Sequence, residues 1–255
     1  MRVALKVAYD GTRFAGSQVQ PHVRTVHGEL AKALRALGAE EPRILWAGRT
    51  DGGVSAAANV AVIDDPPVAP PALVPALAFR MEDAWPWAWA EVREGFEPRH
   101  ARRRWYRYHL RTELDAKRLE DALQPFVGTH DFRDFARVEP GVEPVRTVFS
   151  MRARREGPFV LVDVEGESFL WNQVRRMVEA ARRVAAGELP RAAVEEALAT
   201  PHGGDFGLAP PEPLVLMDVD YAHVSFTDER RGHERLRRRV EDEELRLSVL
   251  RTMLG

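Results

Sequence analysis

The order of strands and helices is the sequence feature that most constrains the fold of this chain. Residues 3–9, VALKVAY, carry their large apolar side chains at every second position, and this period of two predicts a strand. The next segment, RTVHGELAKALRALG, has helical spacing, with Thr25 as its N-cap and Gly38 at its end. Further strands are predicted at RILWAG, NVAVID and WAWAEVR, and a helix at PPALVPALAFRM. Together these segments predict the order β-α-β-β-α-β.

A second, similar order begins at RRRWYRYHLRT. It continues with a helix at ELDAKRLEDALQPF, strands at VRTVFSMRARR and FVLVDVEG, helices at SFLWNQVRRMVEAARRVAAG and PRAAVEEALAT, and a strand at LVLMDVDYAHV. Because the strands come in adjacent pairs, the pattern favours an α+β fold with mainly antiparallel sheets over a doubly wound parallel sheet. We therefore predict two similar α+β halves, residues 1–98 and 99–255. The charged tail after Val224 fits either a helix or a partly frayed segment.

Several classes of chemistry are excluded by the composition. The chain has no cysteine, which excludes disulfides, thiol nucleophiles and cysteine-ligated metal sites. It has no phosphate-binding or dinucleotide-binding glycine loop, no H-E-x-x-H motif and no G-x-S-x-G elbow. No apolar run approaches the roughly 20 residues of a membrane helix, and the N-terminus resembles a strand more than a signal peptide. We expect a soluble, cytoplasmic protein that works without a metal or cofactor.

The distribution of charge is more informative than its total. The formal net charge is −2, but the basic residues are nearly all arginines, clustered in RHARRRWYRY, RARRE, VRRMVEAARR and ERRGHERLRRR. Such local clusters can bind phosphates even when the whole chain is slightly acidic. The alternative is a genome that prefers arginine to lysine, including a heat-adapted one, and composition leaves both possibilities open.

Three segments carry side chains suited to chemistry. GRTDGGVSA places Arg49 and Asp51 two residues apart at a turn, although an ordinary Asp-Gly hairpin has the same pattern. RWYRYHL places Tyr106 and Tyr108 on one face of a strand, where at least one of them is expected in the core. FLWNQVRRMVEAARRV places Arg175 at the edge of the apolar stripe of a helix, where it either extends to water or meets a carboxylate.

Seven motifs give the chain a resemblance to the TruA-type tRNA pseudouridine synthases, from Val3 to Tyr221. In order they are YDGTRFAGSQVQP, TVHGEL, GRTDGGVSA, FEPRH followed by YRY, GTHDF, FLWNQVRRMV and APPEPLVLMDVDY. Two positions depart from the family pattern: Ser17 stands where the family usually has tryptophan, and Ser55 where it usually has histidine.

The resemblance implies both a fold and an activity. The implied pseudouridine synthase fold has two similar halves whose sheets join across a central catalytic cleft, and the implied assembly is a homodimer. The implied reaction converts uridine to pseudouridine at positions 38, 39 and 40 of the tRNA anticodon stem-loop, with neither metal nor cofactor.

The resemblance also assigns roles to four residues. Asp51 matches the aspartate nucleophile, and Arg175 matches the arginine that pairs with it. Tyr106 matches the tyrosine that stacks on the target base and is expected to help remove the C5 proton, which leaves Tyr108 for the core. Arg49 matches the arginine that holds the flipped nucleotide or fills its place. The reaction breaks the N1–C1′ bond, turns the base and joins C5 to C1′, and an anionic oxygen that attacks the ribose or the base can hold the intermediate.

Two other functions are compatible with part of the sequence. A non-catalytic RNA-binding module would use the arginine clusters and tyrosines but would not need Asp51. An RNA-modifying enzyme of another type, such as a methyltransferase, would need a glycine-rich cofactor loop, which the sequence lacks. The joint presence of Asp51, Tyr106 and Arg175 favours the pseudouridine synthase.

Overall fold

The computed structural model describes residues 1–229 and 231–253, with the backbone alone at 231–233. The strands are β1 Arg2–Tyr9, β2 Ile44–Trp46, β3 Ser55–Asp64, β4 Ala84–Glu91, β5 Arg103–Arg111, β6 Gly128–Asp131, β7 Val145–Glu156, β8 Phe159–Gly166, β9 Leu214–Asp220 and β10 Thr227–Asp228. The helices are α1 Val26–Arg35, α2 Pro70–Arg80, α3 Ala116–Leu123, α4 Gln173–Ala186, α5 Arg191–Ala199 and α6 Arg231–Thr252. None of the helices in the described ranges is long and apolar enough to cross a membrane.

The strand pairing confirms the predicted α+β class with mainly antiparallel strands. Antiparallel pairs join β1 to β4, β2 to β3, β5 to both β8 and β9, and β7 to both β6 and β8. A short parallel pair joins the start of β3 to β9, through Ser55 with Val215 and Ala56 with Leu216. Two pairs of strands that were predicted next to each other in sequence, β2 with β3 and β7 with β8, do pair as antiparallel neighbours.

The chain packs as two compact units. The first unit contains residues 1–49, 58–99 and 223–255, and the second contains residues 50–57 and 100–222. The main division of the chain follows Arg99, and two segments group apart from their neighbours in sequence. Residues 50–57 pack with the second unit because Ser55 and Ala56 pair with β9. The tail packs with the first unit because α6 lies against α2 and β4.

The first unit has a sheet with the order β10-β4-β1-β3-β2, covered by helices. Thr25 caps α1 as predicted, with its side chain accepting a hydrogen bond from the Gly28 amide. Gly38 follows the helix with φ +106°, a conformation that favours glycine. Pro70 occupies the first turn of α2, where the missing amide hydrogen has no cost.

Two arginines attach α6 to the first unit. Arg235 donates to the carbonyl oxygens at the end of α2, those of Ala78 and Phe79. Arg239 forms ion pairs with Asp83 and Asp10. The tail after Val224 is therefore largely helical, which resolves the two possibilities that the sequence left open. The C-terminal half of α6 is exposed along its described length.

The second unit has a sheet with the order β9-β5-β8-β7-β6, and the first residues of β3 pair at its β9 edge. The apolar stripe predicted for α4 is buried, including Val174, Met177 and Val178. The helix begins at Gln173 and not at the predicted SFL, because Asn172 adopts a left-handed conformation with φ 65°. Gly187, with φ 79°, ends the helix.

Candidate active site

A tight turn presents Asp51 ahead of β3. The Val54 amide donates to the Asp51 carbonyl oxygen at 3.1 Å, and Gly53 has φ +88°. A Cβ atom at Gly53 would lie 3.0 Å from Cγ of Pro211. The turn therefore requires glycine at position 53, both for its backbone conformation and for its close approach to the Pro211 ring. The turn expected from the Asp-Gly pattern is present, and the carboxylate of Asp51 has a specific partner.

That partner is Arg175 on α4, whose Nη1 donates to Oδ2 of Asp51 at 2.8 Å. The same Nη1 lies 3.0 Å from Oδ1 of Asn172, and Nε donates to the carbonyl oxygen of Ala209 at 2.8 Å. The guanidinium is thus held by three acceptors, from three separate parts of the second unit. From its position at the edge of the apolar stripe, Arg175 was expected either to extend to water or to meet a carboxylate. The structure shows the contact with a carboxylate.

Exposure differs between the two members of this ion pair. The Arg175 side chain is 12% exposed and the Asp51 side chain is 26% exposed. The cation is therefore fixed inside the unit, while part of the carboxylate is accessible. A charge-assisted hydrogen bond from the guanidinium orients the carboxylate. An oriented and accessible carboxylate is what a nucleophilic role requires.

Tyr106 lies on β5 and is buried, with its ring edge-on to Phe169 at a centroid distance of 5.4 Å. Burial raises the pKa of Tyr106 to about 12; the positive charge of Arg104 opposes this rise and the negative charge of Asp51 adds to it. Tyr106 and Asp51 lie in the same unit, and the charge of Asp51 acts on the Tyr106 phenol. At neutral pH the Tyr106 phenol is protonated, which suits stacking and gives no support to the expected role as a proton acceptor.

Tyr108 is a core residue, as expected once Tyr106 was assigned to the site. It is among the fully buried side chains, and its hydroxyl donates to the Pro210 carbonyl oxygen at 3.1 Å. On the other face of β5, Trp105 and Arg107 both donate to Asp163 at 2.8 Å. The alternation predicted for this strand is therefore observed, with tyrosines on the buried face and polar contacts on the other.

The structure also locates Arg49 and the two positions that depart from the family pattern, Ser17 and Ser55. Arg49 is exposed and belongs to the first unit, whereas Asp51 belongs to the second. The role of Arg49 is the one that the resemblance implies. Ser17 is fully buried in the first unit, and Ser55 is half-buried at the start of β3.

Among the described residues, no group of three or more histidine, aspartate and glutamate side chains is arranged to hold a metal ion. The carboxylate of Asp51 is paired with a cation, Arg175.

Comparison with known proteins decides the family. A family model described as tRNA pseudouridine synthase matches residues 122–222. The curated protein tRNA pseudouridine synthase A of Thermococcus kodakarensis is 39% identical over 249 residues, covering 94% of this chain and 92% of that protein. The chain belongs to the tRNA pseudouridine synthase A family. Proteins of the same name from Methanocella arvoryzae and Pyrococcus furiosus are also 39% identical, covering 94% of this chain and 92% and 91% of their own.

This pseudouridine synthase is an isomerase, and its family membership confirms the resemblance seen in the sequence motifs. Two parts of its candidate site were not identified from the sequence. Asn172 holds Arg175, and the only signal for it was an asparagine directly before a helix, a residue type that tolerates left-handed backbone. Residues 202–211 supply the Ala209 carbonyl, but their glycine- and proline-rich sequence predicts only a loop.

Proposed function

We propose that this enzyme isomerises uridine to pseudouridine at positions 38, 39 and 40 of the tRNA anticodon stem-loop, with Asp51 as its nucleophile. The observation that carries the proposal is the Asp51–Arg175 ion pair at 2.8 Å. Its members lie 124 residues apart in sequence, and each comes from a motif shared with the family. A module that only bound RNA would not need a partly accessible carboxylate held by a shielded guanidinium.

In the proposed reaction, an Asp51 carboxylate oxygen attacks either C1′ of the ribose or the uracil ring. The N1–C1′ bond breaks, the base turns, C5 bonds to C1′ and the carboxylate is released. The C5 proton is lost and N1 gains a proton, so the product is an isomer of the substrate. Arg175 holds the Asp51 carboxylate in a fixed orientation before the attack. No step requires a metal or a cofactor.

The remaining predicted residues act on the substrate in this proposal. Tyr106 supplies an aromatic edge or face to the extruded base. Arg49, exposed on the first unit, holds the flipped nucleotide or occupies the place it leaves. Extrusion costs a few kcal/mol, which is offset by contacts of this kind and by phosphate contacts elsewhere.

Exposed arginines account for tRNA binding in this proposal. In the second unit they include Arg102, and also Arg137, whose guanidinium lies 4.1 Å from the ring centroid of the exposed Trp171. Guanidinium groups and exposed aromatic rings suit a folded RNA recognised through its backbone and unpaired bases. We further propose that the enzyme acts as a homodimer in the cytoplasm, where tRNA is the substrate.

The test is to map pseudouridine in the anticodon stem-loop of a tRNA that has been incubated with the pure enzyme. Three substrates, each with uridine at only one of positions 38, 39 and 40, separate the three sites. The proposal predicts pseudouridine in all three substrates with the wild-type enzyme and in none with Asp51→Asn. Modification elsewhere in the tRNA would refute the proposed positions, and tRNA binding without modification would favour the RNA-binding module.

A further inference from the structure

A buried carboxylate outside the ion pair, that of Asp134, holds a loop that contacts the site. The Asp134 side chain is 2% exposed and lies in the short 3-10 helix Arg133–Phe135. It accepts hydrogen bonds from three successive backbone amides, those of His202 at 2.9 Å, Gly203 at 3.0 Å and Gly204 at 3.4 Å. Successive amides that converge on one anion form a stabilising nest. The imidazole Nδ1 of the half-exposed His202 lies 3.4 Å from the same carboxylate.

The loop that begins at this nest continues to Arg175. Phe206 stacks on Phe135 with a centroid distance of 4.5 Å, which fixes the middle of the loop beside Asp134. Three residues later, the Ala209 carbonyl oxygen accepts from Arg175 Nε at 2.8 Å, and the Ala209 amide approaches the Arg175 carbonyl oxygen at 3.4 Å. The orientation of the guanidinium therefore depends on where this loop lies.

The end of the same loop reaches the other parts of the site. The Pro210 carbonyl oxygen accepts from the Tyr108 hydroxyl, and the Pro211 ring lies against Gly53 in the Asp51 turn. Residues 202–211 thus connect the Asp134 nest with the cation, the core tyrosine and the nucleophile turn. All of these contacts lie within the second unit.

We propose that Asp134 is a positioning residue for the isomerisation: it holds residues 202–211 so that Ala209 fixes Nε of Arg175 and leaves Nη1 for Asp51. The proposal rests on the proposed function of the Asp51–Arg175 pair. Asp134 acts on the rate through Arg175 and does not itself touch the substrate, since it is buried among loop amides.

The negative charge of Asp134 is needed because all three main-chain partners are donors. A carboxylate offers acceptor lone pairs to each of them. An asparagine keeps the shape but replaces one oxygen by an NH₂ group, which would face an amide N–H and leave donors unpaired in a buried place. Asp134→Asn should therefore loosen the loop at its start and lower the precision with which Arg175 is held.

The experiment compares Asp134→Asn with wild type in three measurements: the single-turnover rate of pseudouridine formation, tRNA affinity by filter binding, and the thermal midpoint by circular dichroism. We expect the rate to fall at least about tenfold, while tRNA affinity stays within about threefold and the variant remains folded at the assay temperature. The matched control is Asp205→Asn in the same loop, because the Asp205 side chain is 85% exposed and its contacts are with Arg176 and the Gly207 amide. Its rate should stay within about threefold of wild type.

Other outcomes separate this proposal from the proposed function. If Asp134→Asn does not fold, Gly203→Ala is measured in its place. Gly203 has φ +83°, so an alanine there strains the nest without removing a buried group. The same selective loss of rate is expected. A folded variant with an unchanged rate, or with rate and affinity reduced equally, overturns the positioning role. The rate of Arg175→Met is measured in parallel. If this variant also has an unchanged rate, the proposed role of the ion pair is wrong. If Arg175→Met has a reduced rate and Asp134→Asn has the wild-type rate, only the positioning role of Asp134 is refuted.

Discussion

Replacing Arg175 by methionine should slow the chemical step far more than it destabilises the fold. Methionine retains much of the apolar stem of the side chain, which is 12% exposed, and so leaves little empty volume. What is lost is the cation that holds Asp51 at 2.8 Å. The Asp51 carboxylate then keeps part of its solvation, since it is 26% exposed, but lacks its charged donor.

The magnitude follows from the value of such a contact. A hydrogen bond to a charged group contributes about 1.5–3 kcal/mol, and removing one partner of a fully buried pair costs about 3–5 kcal/mol. Because the Asp51–Arg175 pair is only partly buried, we take about 2–3 kcal/mol, which corresponds to a rate reduced about 30- to 150-fold.

The assay is single-turnover pseudouridine formation, with enzyme in excess over tRNA. Arg176→Met is the matched control, because Arg176 is the next residue on α4 and pairs at 3.3 Å with the exposed Asp205. We expect this control to lie within about threefold of wild type, since exposed ion pairs contribute little. Equal and small effects of the two substitutions would refute the argument that the ion pair activates Asp51.

Three further predictions concern pH and metal. Burial of Asp83 favours the neutral form of its carboxyl, but hydrogen bonds from Arg24 and Arg239 outweigh burial and lower its pKa below the usual value. The ionised carboxylate therefore stabilises the fold above the unfolded pKa of about 4, and this stabilisation is lost as the pH falls below it. Asp83→Asn should accordingly lower the thermal midpoint at pH 7 and much less at pH 3. Burial raises the pKa of Tyr106 and of Tyr108 to about 12. Above about pH 10 the folded state therefore binds more protons than the unfolded state, so the stability of the fold should decrease as the pH rises. The thermal midpoint, measured from pH 9 to 11, should decrease less in Tyr108→Phe than in wild type. Activity should survive a chelator when the tRNA is shown to remain folded, and specific rescue by a divalent ion would contradict this.

The local structure of the chain was largely predictable because short-range rules determine it. Alternating apolar residues located β1, and Thr25 with Gly38 bounded α1. The strand β6 was not predicted, because the four residues GTHD are short and polar and are extended only through pairing with β7. Pairing between distant segments likewise placed residues 50–57 with the second unit, and no local pattern indicates this.

The residues of the candidate site could be predicted from the sequence, but the contacts that hold Arg175 in place could not. The edge position on α4 allowed Arg175 to meet a carboxylate, and the family resemblance named Asp51 as that partner. The contacts that fix the arginine come from the left-handed backbone of Asn172 and from a main-chain carbonyl of Ala209. A backbone conformation of this kind and a carbonyl contact leave almost no mark on sequence pattern. They depend on how the loop and the helix pack, which is also why Asp134 was not identified in advance.

The most direct test of the central claim is the activity of Asp51→Asn in a single-turnover assay beside its affinity for tRNA. Asparagine keeps the size of the side chain and an acceptor for Arg175, and it removes only the nucleophilic carboxylate. The account predicts a rate below about one per cent of wild type with tRNA affinity within about threefold, because arginine–phosphate contacts supply most of the binding. A variant that still forms pseudouridine above that level would show that Asp51 is not the nucleophile.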